Sequence, residues 1–291
     1  MGLMEKPNYS FCRLCPRQCC VDRTASERGF CGGGDRAVIA KTMLHQWEEP
    51  VLAGSGGSGA IFFGGCTLGC RYCQNRAISA VPVGQEVDAS GLRLIMEDLI
   101  RQGADNIDLV TPTHYLPTVA EALEQKLPVP VVYNCGGYER AEMLKFLEGK
   151  VDIYLPDLKY GDNALGAKLS DAGNYVQYAT GAIKEMFRQT GPVRFEGERM
   201  VSGVIIRHLV LPGQVESSLK VLDWIGENFN SGEVLVSLMS QYTPMPGMKP
   251  PLDRRVTQQE YDAVLSWMML NDLEGFTQEI SAADGCFIPD F

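Results

Sequence analysis

The sequence predicts an α/β chain. Residues 53–291 read as an open, TIM-like (β/α)6 partial barrel, and residues 1–52 as a Cys-rich metal-binding extension before it. Three observations predict this. From Ile61 onward, strand-like and helix-like patterns alternate, which calls for parallel strands joined by crossover helices. Polar and unusual residues gather just past the expected strands, where the chemistry of such barrels sits. The ten cysteines are clustered, with five between Cys12 and Cys31 and three between Cys66 and Cys73. At 291 residues, 45% hydrophobic and 21% charged, the composition suits one large globular domain with an appendage.

The extension opens with Cys12, Cys15 and Cys19 and closes with Cys31, in the spacing C-x2-C-x3-C-x11-C. Pro16 and the glycines near Cys31 permit the tight turns that wrap backbone around a metal. Four thiolates suit either zinc or a second iron–sulfur cluster, and Cys20 could stand in for Cys19. Residues Ala53 to Gly59 read as a flexible linker. The first strand, Ile61-Phe62-Phe63, ends at Gly64-Gly65. Ser90 is expected to cap a helix to about Gln102, with Leu92, Leu94, Ile95 and Leu99 on one face. Strands follow at Asn106–Val110, Val129–Tyr133, Val151–Leu155, Val204–Leu211 and Glu233–Met239. Helices are expected at Thr118–Gln125, Glu139–Glu148, Asn174–Gln189, Val215–Phe229 and Gln258–Met269, with an irregular span after Tyr160.

The stretch around which the chain is organised is I-F-F-G-G-C-T-L-G-C-R-Y-C-Q-N, residues 61–75. It delivers Cys66, Cys70 and Cys73 onto one loop. A four-iron cubane normally takes four thiolates, so three closely spaced cysteines leave one iron open to something that is not protein. A structural zinc site would want a fourth ligand nearby, and neither His nor Cys follows within thirty residues.

With Tyr72 before the last cysteine, this arrangement resembles the signature of the radical S-adenosylmethionine superfamily. The segments V-D-I-Y-L-P-D-L-K-Y, I-I-R-H-L-V-L-P-G and M-S-Q-Y-T-P, with the prefix C-R-L-C-P-R-Q-C, resemble an uncharacterised subgroup related to the activating enzyme of pyruvate formate-lyase. The resemblance implies a 4Fe-4S cluster on Cys66, Cys70 and Cys73. It also implies reductive cleavage of S-adenosylmethionine to a 5′-deoxyadenosyl radical. Tyr72 would lie near the adenine. Family members often carry a Gly-Gly-Glu type motif after the second strand; here Thr111-Pro112-Thr113-His114 stands there, so the Thr111 or Thr113 hydroxyl would substitute. Asp157 matches an acidic residue that helps hold a monovalent cation in activases, while Asn134 replaces a second one. Arg207 would face the cofactor carboxylate or ribose, where a planar guanidinium suits bidentate contact. Lys159 and Gln241 complete the strand-end set, and Lys159 could equally pair with Asp157. His114 and His208 read as structural, Cys135 and Cys286 as packed thiols, although Cys135 at a strand end could sit inside the cavity and quench a radical, and residues 239–248 as a Met-rich loop over the mouth.

The reaction implied is hydrogen abstraction from a protein or peptide, with a glycyl radical enzyme as possible partner and a flavodoxin- or ferredoxin-type electron donor. The alternatives are a radical enzyme acting on a small metabolite, or a non-enzymatic iron–sulfur or zinc protein. A net charge of −10 argues against nucleic acid as a main partner. No apolar run approaches the ~20 residues of a membrane span, and residues 1–10 lack the apolar core of an export signal. The expected compartment is the cytoplasm, where thiols stay reduced.

Overall fold

The structure is a computed structural model and describes residues 6–279. In chain order the elements are β1 (Ala37–His45), β2 (Ser58–Phe63), α1 (Arg76–Ser79), β3 (Gln85–Val87), α2 (Ala89–Arg101), β4 (Asn106–Val110), α3 (Leu116–Ala122), β5 (Val131–Cys135), α4 (Ala141–Leu144), β6 (Ile153–Pro156), α5 (Asn163–Ser170), α6 (Tyr175–Thr190), β7 (Arg194–Glu196), β8 (Arg199–Leu209), α7 (Val215–Asn228), β9 (Leu235–Met239), α8 (Gln258–Leu270) and β10 (Gly275–Thr277). The sheet runs β10-β9-β8-β6-β5-β4-β2-β1-β3, with β7 on β8. The six expected strands are β2, β4, β5, β6, β8 and β9, each parallel to its neighbour. The (β/α)6 partial barrel is therefore present.

Alternation along the strands sorts the core into two faces. Ile107, Leu109, Tyr133, Tyr154, Val204 and Ile206 pack outward into one cluster with helix residues such as Leu92, Met96, Val119, Ile183 and Val221. Their neighbours Val132, Ile153, Leu155, Ile205 and Leu235 point the other way and meet Leu52 in the lumen. Asp88 rather than Ser90 caps α2, accepting the Gly91 N–H. Its buried stripe is Leu92, Met96 and Leu99, whereas Leu94, expected on that face, is 65% exposed.

The expected linker is not loose. Ser58 and Gly59 already belong to β2, and the Gly54 and Gly56 N–H groups both donate to Asp105 Oδ2 at 2.9 and 3.0 Å. Within residues 1–52, β1 pairs antiparallel with β2, from Ile39 opposite Phe63 to His45 opposite Ser58. The segment after β1 then turns into the lumen, where Leu52 O accepts the Asn106 side chain at 2.6 Å and Val51 O accepts Met200 N at 2.9 Å. The irregular span after Tyr160 contains α5, capped by Asp162. Cys286 lies outside the described residues.

Candidate active site

The cluster loop begins where β2 ends. Gly64 N donates to Val38 O, and Gly64 O accepts His114 Nε2 at 2.8 Å and the Tyr115 hydroxyl at 3.3 Å. Gly65 turns with φ +86°, and a Cβ there would press on Cys31 O at 2.5 Å. The chain then presents Cys66, Cys70 and Cys73 to one cavity at the carboxyl ends of the strands. Each sulfur has a donor: Leu68 N to Cys66 at 3.3 Å, the Ser79 hydroxyl to Cys73 at 3.3 Å, and the Tyr160 hydroxyl to Cys70 at 3.9 Å. Burial pushes the Cys66 thiol up to about 12 and raises Cys73 as well.

The same cavity is lined by Thr111, Thr113, Asn134, Asp157, Lys159 and Arg207, together with Cys135. Asp157 accepts Lys159 Nζ at 2.5 Å and Arg207 Nε at 2.9 Å, and Arg207 Nη2 reaches Asn134 Oδ1 at 2.6 Å. Burial alone would raise Asp157, yet the Arg207 and Lys159 charges hold it below the usual carboxylate range. Burial alone would lower Lys159, and Asp157 more than offsets it, so the ammonium stays charged. Arg207 thus has three of its five N–H donors directed at protein, counting a 3.6 Å approach to Glu48. Thr111 adopts φ +63°, rare for a β-branched residue and typical of strain held at a working site.

Two expected residues stand apart from the cavity wall. Tyr72 is buried beside Tyr242, ring centroids 6.1 Å apart. Gln241 offers its backbone carbonyl to Gln74 Nε2 at 3.1 Å while its own amide turns to Met239. His114 and His208 are fully enclosed, and burial drives them down to about 3 and 4, so both are neutral. His208 bridges Leu158 O and the Ser218 hydroxyl.

Sequence reasoning missed four acids behind this wall. Asp108 is 0% exposed and accepts Asn134 Nδ2 at 3.3 Å, with its Oδ1 unpartnered among the described residues. Burial, then the neighbouring Glu48, raises it well above the usual range. Glu49 is pushed up to about 7 by burial. Glu139, hydrogen-bonded to Thr113 at 2.5 Å, is pushed up to about 8 by burial. The period of two in N-I-D-L-V turned Asp108 inward and could have exposed it; nothing local marked the other three.

The donor set fits a cluster with an open iron: three thiols on one loop face a polar wall of hydroxyls, an amide and two cations, with Cys135 buried in the opposite strand end. A 4Fe-4S single cluster domain model matches residues 52–151, which contain all three cysteines. The uncharacterized protein MJ0674 of Methanocaldococcus jannaschii is 31% identical over 274 residues, 90% of this chain and 75% of that protein. Among solved structures, a radical SAM methyltransferase from Sphaerobacter thermophilus matches with a TM-score of 0.52 at 12% identity, covering 75% of this chain and 65% of that one. Streptococcus suis SuiB bound to its precursor peptide SuiA matches with 0.52 at 13%, covering 75% and 48%. The chain has the fold of these radical SAM structures. It belongs to the same family as the Methanocaldococcus protein, and the matched 4Fe-4S domain places an iron–sulfur cluster within residues 52–151. It spans about two thirds of the methyltransferase and half of SuiB. Among the described residues, no helix is long and apolar enough to cross a membrane.

Proposed function

We propose that this chain is a radical S-adenosylmethionine enzyme that abstracts hydrogen from a protein or peptide, in the manner of a glycyl-radical activase, with its cluster on Cys66, Cys70 and Cys73. The observation that carries the reading is the set of three thiols facing Thr113, Asn134, Asp157, Lys159 and Arg207 across one cavity. Held by Cys66, Cys70 and Cys73, a 4Fe-4S cluster would supply the electron for reductive cleavage of S-adenosylmethionine and so the hydrogen-abstracting chemistry.

The chain's own residues then divide the remaining work. Leu68 N, Ser79 and Tyr160 direct donors at the sulfurs, one of the means by which a protein sets cluster potential. Lys159 Nζ and the free Arg207 N–H groups would take the cofactor carboxylate, and Asp157 keeps both cations in register. The Thr111 and Thr113 hydroxyls would accept from its ammonium, Thr113 being oriented by Glu139. Tyr72 and Gln241 support the loop rather than touch the ligand.

The rim supports a macromolecular substrate. Phe30, Val81 and Val83 are 48, 62 and 55% exposed. Phe30 lies over Gly69, and Val83 lies against Gly64. Exposed apolar residues gathered beside a cavity mark a docking surface, and SuiB, of the same fold, accommodates a peptide. The electron donor would be a reduced flavodoxin or ferredoxin and the compartment the cytoplasm. The test is 5′-deoxyadenosine formation by the anaerobically reconstituted chain under strong reductant. Cys70→Ala should abolish it, and full product from that variant overturns the assignment. Deuterium passed from a glycine-labelled protein partner into 5′-deoxyadenosine would support the activase reading; transfer only from small metabolites would overturn it.

A further inference from the structure

The Cys-rich segment is not absorbed by the radical chemistry, and its fold places Cys12, Cys15, Cys19 and Cys31 in one neighbourhood. Cys12 N donates to Val21 O at 3.0 Å and Cys20 N to Cys12 O at 2.9 Å, which sets Cys12 beside Cys19. Gln18 N closes a turn on Cys15 O at 3.1 Å. Phe30 N donates to Cys19 Sγ at 3.4 Å, which brings Cys31 alongside. Gln18 and Cys20, on either side of Cys19, both hold positive φ, a local strain that needs a purpose. Cys12 and Cys15 are each 7% exposed, and Arg23, itself 1% exposed, aims Nη1 at Cys12 Sγ from 3.8 Å. Cys20 faces outward, toward Gln18 O and Arg13, so Cys19 is the third thiol of the set. None of these cysteines is in a disulfide.

The residues between these thiols hold the cluster loop. Arg17, midway between Cys15 and Cys19, donates to Thr67 O and Leu68 O at 3.0 Å each, and to Ser170 O and Asp171 O at 2.8 and 2.6 Å. Its guanidinium stacks 3.7 Å from the Phe30 ring, and that ring covers Gly69. Cys31 O rests against Gly65. Both ends of the Gly65–Gly69 turn are thus gripped from the Cys-rich segment. Among the described residues, no three metal-ligating side chains converge as a single ion requires, so loading has to draw these turns inward.

We propose that Cys12, Cys15, Cys19 and Cys31 form a second thiolate metal centre, and that its loading seats the loop carrying Cys66, Cys70 and Cys73. Zinc and an iron–sulfur cluster share this ligand chemistry. The centre rests on these residues alone and stands whether or not the radical reading does.

Three preparations test it. A Cys66→Ser, Cys70→Ser, Cys73→Ser variant, reconstituted anaerobically with iron, sulfide and zinc, should retain about one zinc or about four iron with sulfide. Either result supports the centre and names its metal; neither metal overturns it. In the Cys12→Ser, Cys15→Ser, Cys19→Ser, Cys31→Ser variant, amides 66–69 should exchange roughly tenfold faster, the size of one to two lost hydrogen bonds. Amides of β5 should not change, which serves as the folding control. Arg17→Ala should keep the second metal yet show the same faster exchange. Unchanged exchange at 66–69 in both variants overturns the seating. Loss of 5′-deoxyadenosine formation by the parent chain, with the second metal intact in the first variant, would defeat only the radical reading.

Discussion

Replacing Glu139 by Gln isolates the carboxyl behind the cavity wall. Glu139 is 2% exposed, and its oxygens accept Thr113 Oγ1 at 2.5 Å and Tyr133 Oη at 3.4 Å. Burial raises its pKa from 4.5 to about 8, against the opposing hydrogen bonds of Thr113, Cys135 and Tyr133. The folded chain therefore keeps a proton that the unfolded chain releases. Because the folded pKa is the higher one, this group's contribution is complete below about pH 4.5 and is lost as pH rises toward about 8. One proton of difference corresponds to ~1.4 kcal/mol per pH unit. Between pH 5 and 7 the parent should lose roughly 3 kcal/mol through Glu139. Glu49, raised to about 7, slopes the same way, so only the difference between parent and variant reads Glu139. Gln keeps an acceptor for Thr113 and has nothing to titrate. Urea unfolding under anaerobic conditions, at half-unit pH steps, should find the two proteins close at pH 5 and the variant ahead by about 3 kcal/mol near pH 7.5. Parallel stability profiles across that range would refute the burial argument.

Arg207→Ala should cost about 3–5 kcal/mol, because it breaks the buried pairs to Asp157 and Glu48 and leaves Asp157 with Lys159 alone; equal melting of variant and parent would show that the network holds nothing together. Gly137→Ala, at φ +76° with its new Cβ driven into Asp157 O and the Tyr175 hydroxyl, should lose more stability than Gly149→Ala. Gly149 has φ +74° and open space, so there only the backbone term of ~1–2 kcal/mol applies, and equal losses in the two melts would remove steric crowding as the cause.

The barrel was legible because its information is local. The run Asn106–Val110 and the pattern of α7 carry their own periods, and both lie within a residue of their expected bounds. Strand ends shifted where the hydrophobic run and the hydrogen-bonded ladder differ. Val129 is apolar, yet it precedes the ladder, which starts where Val131 falls opposite Ile107. The cavity wall was legible for the same reason: in a parallel barrel the residue after each strand is delivered to one end. Asn134, Asp157, Lys159 and Arg207 meet there although 73 residues separate Asn134 from Arg207.

What was not legible is long-range and runs through the lumen. Residues 46–52 show no strand or helix period, and a Glu48-Glu49 pair in such a stretch reads as solvated surface. The pairing of β1 with β2 makes the difference, because it fixes where the connecting segment enters the barrel. Glu48 then reaches Arg207, Leu52 fills the lumen, and Asp108 is left beneath Asn134. Each acid would be unstable there alone, since an uncompensated buried charge costs several kcal/mol. Two cations, Lys159 and Arg207, face Asp157, Glu48, Glu49 and Asp108, and the balance closes because burial keeps Asp108 protonated and raises Glu49 toward neutrality. The polar floor of the cavity therefore holds two charged cations beside two acids, Asp108 and Glu49, that burial draws toward their neutral forms. A ligand carrying a carboxylate meets that floor favourably, and the arrangement depends on the one segment whose sequence gave no local sign of it.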